Sequence, residues 1–520
     1  MTTPQAAQQR PHPPALFYAL IASLPFSDFL QTTVVAFSAA PVMGGIAASP
    51  EEYSTVATLY AVVAIGVIAL HRQLLARLGW RHLLQGSAAL YALGALVCGL
   101  SASVAGFAAG RMLMALGCGS FMTAGRVLVN HIPPSPRRFT GIKLFAAGLA
   151  WGGVAGPWLA SAALAAQAWR MAFFALLLPA AVIGALAGAV VPNDRPESDT
   201  PAQPVSRSLL VLTGGAFLLL HALQRSSFDF FNGAWLLCGT AALAVAGLSA
   251  FVWLSRAKAG AAISFRPLAQ RRYLLGLGMF ALGYVLLGAN SSMLPVLLQR
   301  ALGLPLEVVG RVIGIGALGG VASWIVLSRL LPRHPGPTRY YLVGFGLLLC
   351  CASQLSGLSE SANLWQSVVP ALLCNGAFVI VVLATTAMQT FQTLQRDETT
   401  FSHANQVKNI LGQFGVAAGI ALATLCMQWR SSLHYARLGE SLSAANPALA
   451  QTLTTLTQRF AAEGQVAEAP AMAVVHLGQW LNQAATLMGA LDYFFVVKII
   501  AGGCLAAIAL EAAWHRCKLA

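Results

Sequence analysis

A carboxylate, Asp28, interrupts an apolar run that begins near Ala15, and a guanidinium, Arg111, interrupts another such run. A charged carboxylate is expensive to hold away from water, whereas its neutral form is tolerated, so a carboxyl in that setting is suited to loading and releasing protons. Of the 16 acidic residues, Asp28 is the one that lies well inside a long apolar run in the first part of the chain; Asp229 and Asp492 sit near the ends of their runs, and Glu511 near the exit of the last. Arg111 is the charge partner the sequence offers. The two read as a proton-coupling pair or as a static structural ion pair. A second polar set, Asn290, Ser291, Ser292, Gln299, Asn375, Asn405, Asn409 and Gln413, punctuates later apolar runs. Asn405, Asn409 and Gln413 recur every four residues and share one helix face. Such side chains line a substrate cavity or hydrogen-bond helix to helix.

Enzymatic chemistry finds little support. No Lys follows a Gly, so a phosphate-binding Gly-Lys-Ser/Thr loop is absent from the sequence, and no His-Glu-x-x-His helix occurs. Nine cysteines stand singly or as Cys350-Cys351, all but Cys517 within apolar runs, which supports neither a disulfide framework nor a Cys-x-x-Cys metal site. The expectation is a protein that is not an enzyme and uses no cofactor or metal.

The elements that must carry these residues follow from composition. With 57% hydrophobic and 9% charged residues and a mean hydropathy of +0.70, the chain has too few polar side chains to cover a soluble globule. About 20 apolar residues cross a bilayer as a helix. Spans are expected at about 15–46, 54–71, 83–101, 104–131, 138–165 and 169–191, then 208–225 and 231–255, then 273–299, 307–330, 339–357, 364–391, 401–428 and 488–513. The first run outlasts a signal-peptide core and reads as a retained helix. The polar stretch Pro192-Asn193-Asp194-Arg195-Pro196-Glu197-Ser198-Asp199 closes the first block. The predicted fold class is an all-α integral membrane protein of fourteen transmembrane helices in a six, two, six arrangement: a bundle over 1–191, a linker with two extra helices over 192–256, and a second bundle over 257–520. Two blocks of six suit a transporter whose halves rock about a central site.

The net charge of +15 has a pattern. Under alternate spanning with a cytoplasmic N-terminus, the clusters Arg72, Arg77 and Arg81; Arg137, Arg138 and Lys143; Arg256, Lys258, Arg266, Arg271 and Arg272; and Arg329, Arg333 and Arg339 all fall on the cytoplasmic side. This is the positive-inside asymmetry, and it accounts for the basic balance without nucleic acid. Both termini are then cytoplasmic. Arg111, Arg126, Arg311 and Lys498 are the cations assigned to helices, and the last three read as snorkelling or packing charges. The longest polar connection, about 430–487, lies outside; Asn446-Pro447 starts a helix there with an apolar stripe of Leu449, Leu453, Leu456 and Phe460, which rests on the protein itself or docks a periplasmic adaptor.

The fifth span reads Gly152-Gly153-Val154-Ala155-Gly156-Pro157-Trp158-Leu159-Ala160-Ser161. It resembles the antiporter motif of the major facilitator superfamily, Gly-x-x-x-Gly-Pro followed by small residues. Arg111-Met112-Leu113-Met114-Ala115 is similar to that superfamily's Arg-x-x-Gln-Gly element, with Met114 and Ala115 in place of Gln and Gly. Together with the fourteen spans, Met293 to Gln299, Asn405-Gln406-Val407-Lys408 and the long outer segment, the chain resembles the drug:proton antiporter-2 (EmrB/QacA-type) family over nearly its whole length. The resemblance implies a proton-coupled secondary transporter of the inner membrane, exporting small amphipathic molecules or drugs, with protons and lipid as its other partners and room for an adaptor. An uptake carrier and a non-transporting scaffold or sensor are the alternatives. The cytoplasmic gating loop departs from the family's Gly-x-Leu-x-Asp-Arg-x-Gly-Arg-Arg: Arg77, Gly79 and Arg81 match, but Arg72 replaces the Gly and Ala76 the Asp. In the first helix, Gln31-Thr32-Thr33-Val34-Val35 occupies the family's acidic position and Asp28 lies about one turn earlier.

Overall fold

The computed structural model describes residues 15–192, 207–257, 263–359, 362–440, 447–462 and 466–517, and every regular element among them is helical. In chain order these are α1 (Ala15–Phe37), α2 (Ala39–Gly45), α3 (Pro50–Leu100), α4 (Val104–Cys118), α5 (Phe121–His131), α6 (Pro136–Ala165), α7 (Trp169–Ala175) and α8 (Leu177–Val190). Next come α9 (Arg207–Ala257), α10 (Arg271–Val296), α11 (Leu306–Leu330), α12 (Pro337–Leu355), α13 (Val369–Phe391), α14 (Glu398–Glu440), α15 (Pro447–Ala462) and α16 (Ala469–Cys517). Eleven helical stretches among the described residues are long and apolar enough to cross a membrane.

The start of α3 is written in its sequence. Ser49 accepts from the Glu52 amide at 3.2 Å while the Glu52 carboxylate accepts from the Ser49 amide at 2.8 Å, and Pro50 fills the first turn. That reciprocal cap satisfies two amides the helix cannot pair internally. At 51 residues, α3 is more than twice the length a bilayer needs. It turns at Gly79, whose φ of 74° belongs to the left-handed region open to glycine. Its two arms then run side by side, because Gly119 packs on Ala64 of the first arm while Gly117 packs on Ser87 and Tyr91 of the second. Likewise, α9 has 51 residues and leaves helical geometry at Gly233.

Two large apolar cores result. One gathers residues from Leu20 to Val191 and the other residues from Leu286 to Ala501. They meet along two seams. In the first, α6 and α11 run antiparallel: Ser161 donates to the Glu307 carbonyl at 2.5 Å, Trp158 to the Arg311 carbonyl at 3.2 Å, and Trp324 to the Lys143 carbonyl at 3.0 Å. In the second, α14 lies against α3 and α5. Helix α9 covers that second seam, with Leu209, Leu212, Ala216 and Leu220 packed among Ile65, Ile68 and Ile410. It is fixed to both sides at one end, where Arg225 pairs with Glu51 at 2.7 Å and Gln428 donates to the Ser227 carbonyl at 2.7 Å.

The structure differs from the expected spans in three places. The first run breaks at Ser38 into α1 and α2. The segment carrying Arg72 and Arg77 is helical, since the reversal occupies Gly79 alone. The region from 430 onward is not a loop: α14 runs on to Glu440, and α16 begins at Ala469 instead of near 488. Neither Gly nor Pro occurs between Gln428 and Leu438, so the helix outlasts the apolar stretch by which spans are recognised. The stripe Leu449, Leu453, Leu456 and Phe460 is the half-buried face of α15, which packs on α16 through Phe460 and His476, 5.9 Å between rings. Asn446, the expected cap, lies outside the described residues.

Candidate functional site

Asp28 is held in place by glycine. Along α6, Gly148, Gly152 and Gly156 recur every four residues and meet the backbone of α1 at Ala22, Phe26 and Leu30, Gly156 also meeting the Thr33 side chain. A Cβ on Gly152 would lie 2.5 Å from the Phe26 carbonyl oxygen, and one on Gly156 would overlap the Thr33 hydroxyl. Small residues at this spacing let two helices approach at backbone distance. Gly153, on another face, has nothing within 4 Å. Pro157 serves a different neighbour: its carbonyl abuts Gly310 of α11. The antiporter-like segment thus locates α1 on one side and α11 on the other, and Gly148 is a member of the stripe that the sequence pattern missed.

Arg111 and Asp28 are not in direct contact; no ion pair joins them among the described residues. Arg111 instead donates to the Gln31 Oε1 at 2.9 Å and lies over the Tyr60 ring, 4.0 Å from its centroid. The Gln31 amide donates in turn to the Tyr60 hydroxyl at 2.6 Å and the Thr32 hydroxyl at 2.9 Å. Gln31 is also the polar neighbour of the Asp28 carboxyl, and the cations whose charges reach that carboxyl are Lys408 and Arg111.

Lys408, the last residue of Asn405-Gln406-Val407-Lys408, is not among the site residues that the sequence singles out. It sits inside α14 and is 8% exposed, its ammonium 5.6 Å from the Phe280 ring centroid. Of the two readings for Arg126, snorkelling or packing, the packing one describes its place: it is 7% exposed, 5.9 Å from the Phe401 ring centroid. Arg311 is exposed and Lys498 half-buried. The signal for Lys408 was available, since it stands ten positions beyond Glu398, the first residue of α14, but a break in apolar character around His403 to Gln406 masks it.

The remaining predicted residues fall into two groups. Asn405 and Asn409 both reach Thr123 of α5, at its carbonyl (3.4 Å) and its hydroxyl (2.8 Å). Asn290 donates to Asn375 at 2.7 Å and accepts from Tyr493 at 2.7 Å, linking α10, α13 and α16. Ser291 bonds its own helix and is exposed, as is Gln299 in the π-helical turn after α10; Gln413 is half-buried one turn beyond Asn409.

At the end where the arginine clusters lie, the two cores are latched. Gln406 donates to the Ile68 and Ala69 carbonyls at 2.8 and 3.2 Å, Arg72 meets His403 at 3.1 Å, and His131 meets Glu398 at 2.7 Å. The Arg72 that replaces a glycine of the gating loop therefore has a partner on α14. Gly79 makes the turn between the arms of α3, Arg77 lies just before it, and Arg81 just after it extends towards Gly188 of α8.

The family model described as Major Facilitator Superfamily matches residues 21–424. A Salmonella typhi protein named "Putative multidrug resistance protein MdtD" is 24% identical over 405 residues, covering 77% of this chain and 84% of its own length. Its namesake in Klebsiella pneumoniae strain 342 is 24% identical over 403 residues, with the same coverage of both chains. Among solved structures, the human organic anion transporter MFSD10 superposes with a TM-score of 0.55 at 14% identity over 95% of this chain and 100% of its own. A bacterial homologue of the human drug peptide transporters PepT1 and PepT2 does so at 0.56 and 12% identity, over 97% and 99%. At those identities the likeness is one of fold.

Proposed function

Since the chain belongs to the major facilitator superfamily, whose members are multi-pass membrane transporters and not enzymes, we propose that it is a proton-coupled exporter of small amphipathic molecules. It works by alternating access between two six-helix halves, 1–191 and 257–520, with the helix pair of 192–256 between them. Reading α3 and α9 as two crossings each, and α12 as a further one, makes fourteen. The arginine-rich end faces the cytoplasm of a cell whose inner membrane the chain spans, with both termini on that side and the helices of 430–487 outside.

One observation carries this reading: Asp28 from the first half and Lys408 from the second influence each other across a seam that Asn405, Asn409 and Gln406 hold closed. A carboxyl so placed binds or releases its proton according to whether the seam is shut, because separation of the halves changes its distance from that cation. The multidrug name of the MdtD relatives supports export of foreign amphipaths. Gly152, Gly156 and Pro157 hold α1 and α11 in register; Arg77, Gly79 and Arg81 shape the gating turn; Asn290, Asn375, Ser291, Gln299 and Gln413 border the path in the second half. Proteoliposomes loaded with amphipathic dyes of both charges and given a pH gradient test the proposal. Dye movement driven by the gradient and abolished by a protonophore is expected; movement indifferent to the gradient would overturn it.

A further inference from the structure

At membrane depth this site holds an excess of positive charge. Arg111, Arg126 and Lys408 are 5%, 7% and 8% exposed, and Asp28 is a carboxylate within reach of the Arg111 and Lys408 charges. Arg111 is occupied by Gln31 and the Tyr60 ring. Among the described residues, Arg126 and Lys408 make neither a hydrogen bond nor an ion pair; Arg126 lies 5.9 Å from the Phe401 ring centroid in a crevice it shares with Asn130, Arg138 and Gln395, and Lys408 lies 5.6 Å from the Phe280 ring centroid. They stand on opposite halves, Arg126 one turn beyond Thr123 on α5 and Lys408 between Asn405 and Asn409, the two residues that hold Thr123. Their charges oppose each other across the seam, and Arg138 adds a further cation on the Arg126 side.

Three buried cations against one carboxylate leave buried charge unbalanced at a cost of several kcal/mol, so this site, where Arg126 and Lys408 face each other as like charges, is built for an anion that arrives from elsewhere. Guanidinium and ammonium groups together suit an oxyanion, and the Phe280 and Phe401 rings beside them suit an apolar or aromatic body. We propose that the cargo of this transporter is a small organic anion, an aromatic or apolar body bearing a carboxylate, sulfonate or phosphate, bound between Arg126 of the first half and Lys408 of the second. The inference rests on the exporter reading and narrows it. Because the two cations belong to different halves, a bound anion bridges them. Any movement that draws α5 from α14 splits the site and releases the anion, which ties cargo affinity to the alternation of the halves.

The test uses full-length protein and two dyes that share a xanthene ring: carboxyfluorescein, an anion, and rhodamine 123, a cation. Dye binding is read by fluorescence polarisation on detergent-purified protein, and gradient-driven transport is read in proteoliposomes. The expected result is that carboxyfluorescein binds at least about tenfold more tightly than rhodamine 123, that Lys408→Gln and Arg126→Gln each weaken it about tenfold, and that Lys408→Arg retains it. Size-exclusion profile and melting temperature of each variant show that the fold is kept. Equal or tighter binding of rhodamine 123, absence of carboxyfluorescein binding, or indifference of the anion to both neutral variants overturns the proposal. Binding of the anion without gradient-driven movement upholds the anion site and refutes the exporter reading. Gradient-driven movement of rhodamine 123 alone does the reverse.

Discussion

At the scale of single residues, membrane burial makes each polar atom conspicuous, and that is why Asp28 is legible in the sequence: an acid inside an apolar run has few structural uses. Its partners were less legible. Arg111 belongs to the same neighbourhood, but Gln31, which joins it to Tyr60, looks in sequence like any amide in a polar patch. Lys408 hides behind the polar residues His403, Asn405 and Gln406, and only tertiary packing shows that α14 is buried there. The glycines divide the same way. Gly152 and Gly156 are recognisable by spacing, whereas Gly148 is recognised by its contact with Ala22. This yields a paired prediction. Gly156→Leu should reach the membrane yet lose at least about 90% of dye transport, since its side chain would occupy the space of Thr33 and push α1 off α6. Gly153→Leu, with nothing within 4 Å, should keep activity within about twofold of wild type. Transport normalised to purified protein decides it, and equal losses in both would refute the packing role.

At the scale of elements, helix ends outside the membrane obey ordinary capping rules. Asp397 precedes α14 and accepts from the Thr399 and Thr400 amides at 3.2 and 3.1 Å as well as from their hydroxyls. The Thr400 hydroxyl, then the Thr399 hydroxyl and the two amides, hold the Asp397 carboxyl below the usual carboxylate range. A lowered folded value means the cap contributes fully above the ordinary aspartate range, and its contribution disappears as pH falls through the lowered value. Asp397→Ala should therefore cost about 1 kcal/mol at neutral pH, and fray the first turn of α14. Hydrogen exchange at Thr399 to Phe401 checks this: faster exchange in the variant at pH 7 is expected, with the difference shrinking on acidification. The long helices illustrate what hydropathy does not resolve. Apolar length marks where α14 and α16 cross the bilayer, but nothing in a hydropathy profile stops a helix that simply continues into water on an amphipathic face.

For the whole molecule, the class was plain from composition, and one large apolar core draws on residues from Leu20 to Val191 and the other on residues from Leu286 to Ala501. What could not be read was how the blocks meet. The α6–α11 seam and the latch from α14 to α3 and α5 join residues hundreds of positions apart, through contacts such as Asn409 to Thr123 that no local pattern encodes. Sidedness is testable at this scale. Reporter fusions after Arg81, Arg138 and Arg272 should report cytoplasm, and fusions between Leu449 and Phe460 the outer side. A swap at any of these positions would defeat the fourteen-crossing arrangement. The most direct test of proton coupling through Asp28 is gradient-driven dye transport by Asp28→Asn in proteoliposomes, set beside dye binding by the same variant in detergent. The substitution keeps the shape and removes the titratable proton, so concentrative transport should fall at least about tenfold while binding stays within about twofold. Full gradient-driven activity in Asp28→Asn would contradict the account and transfer the coupling to Asp229, to Asp492, or to a charge carried by the cargo itself.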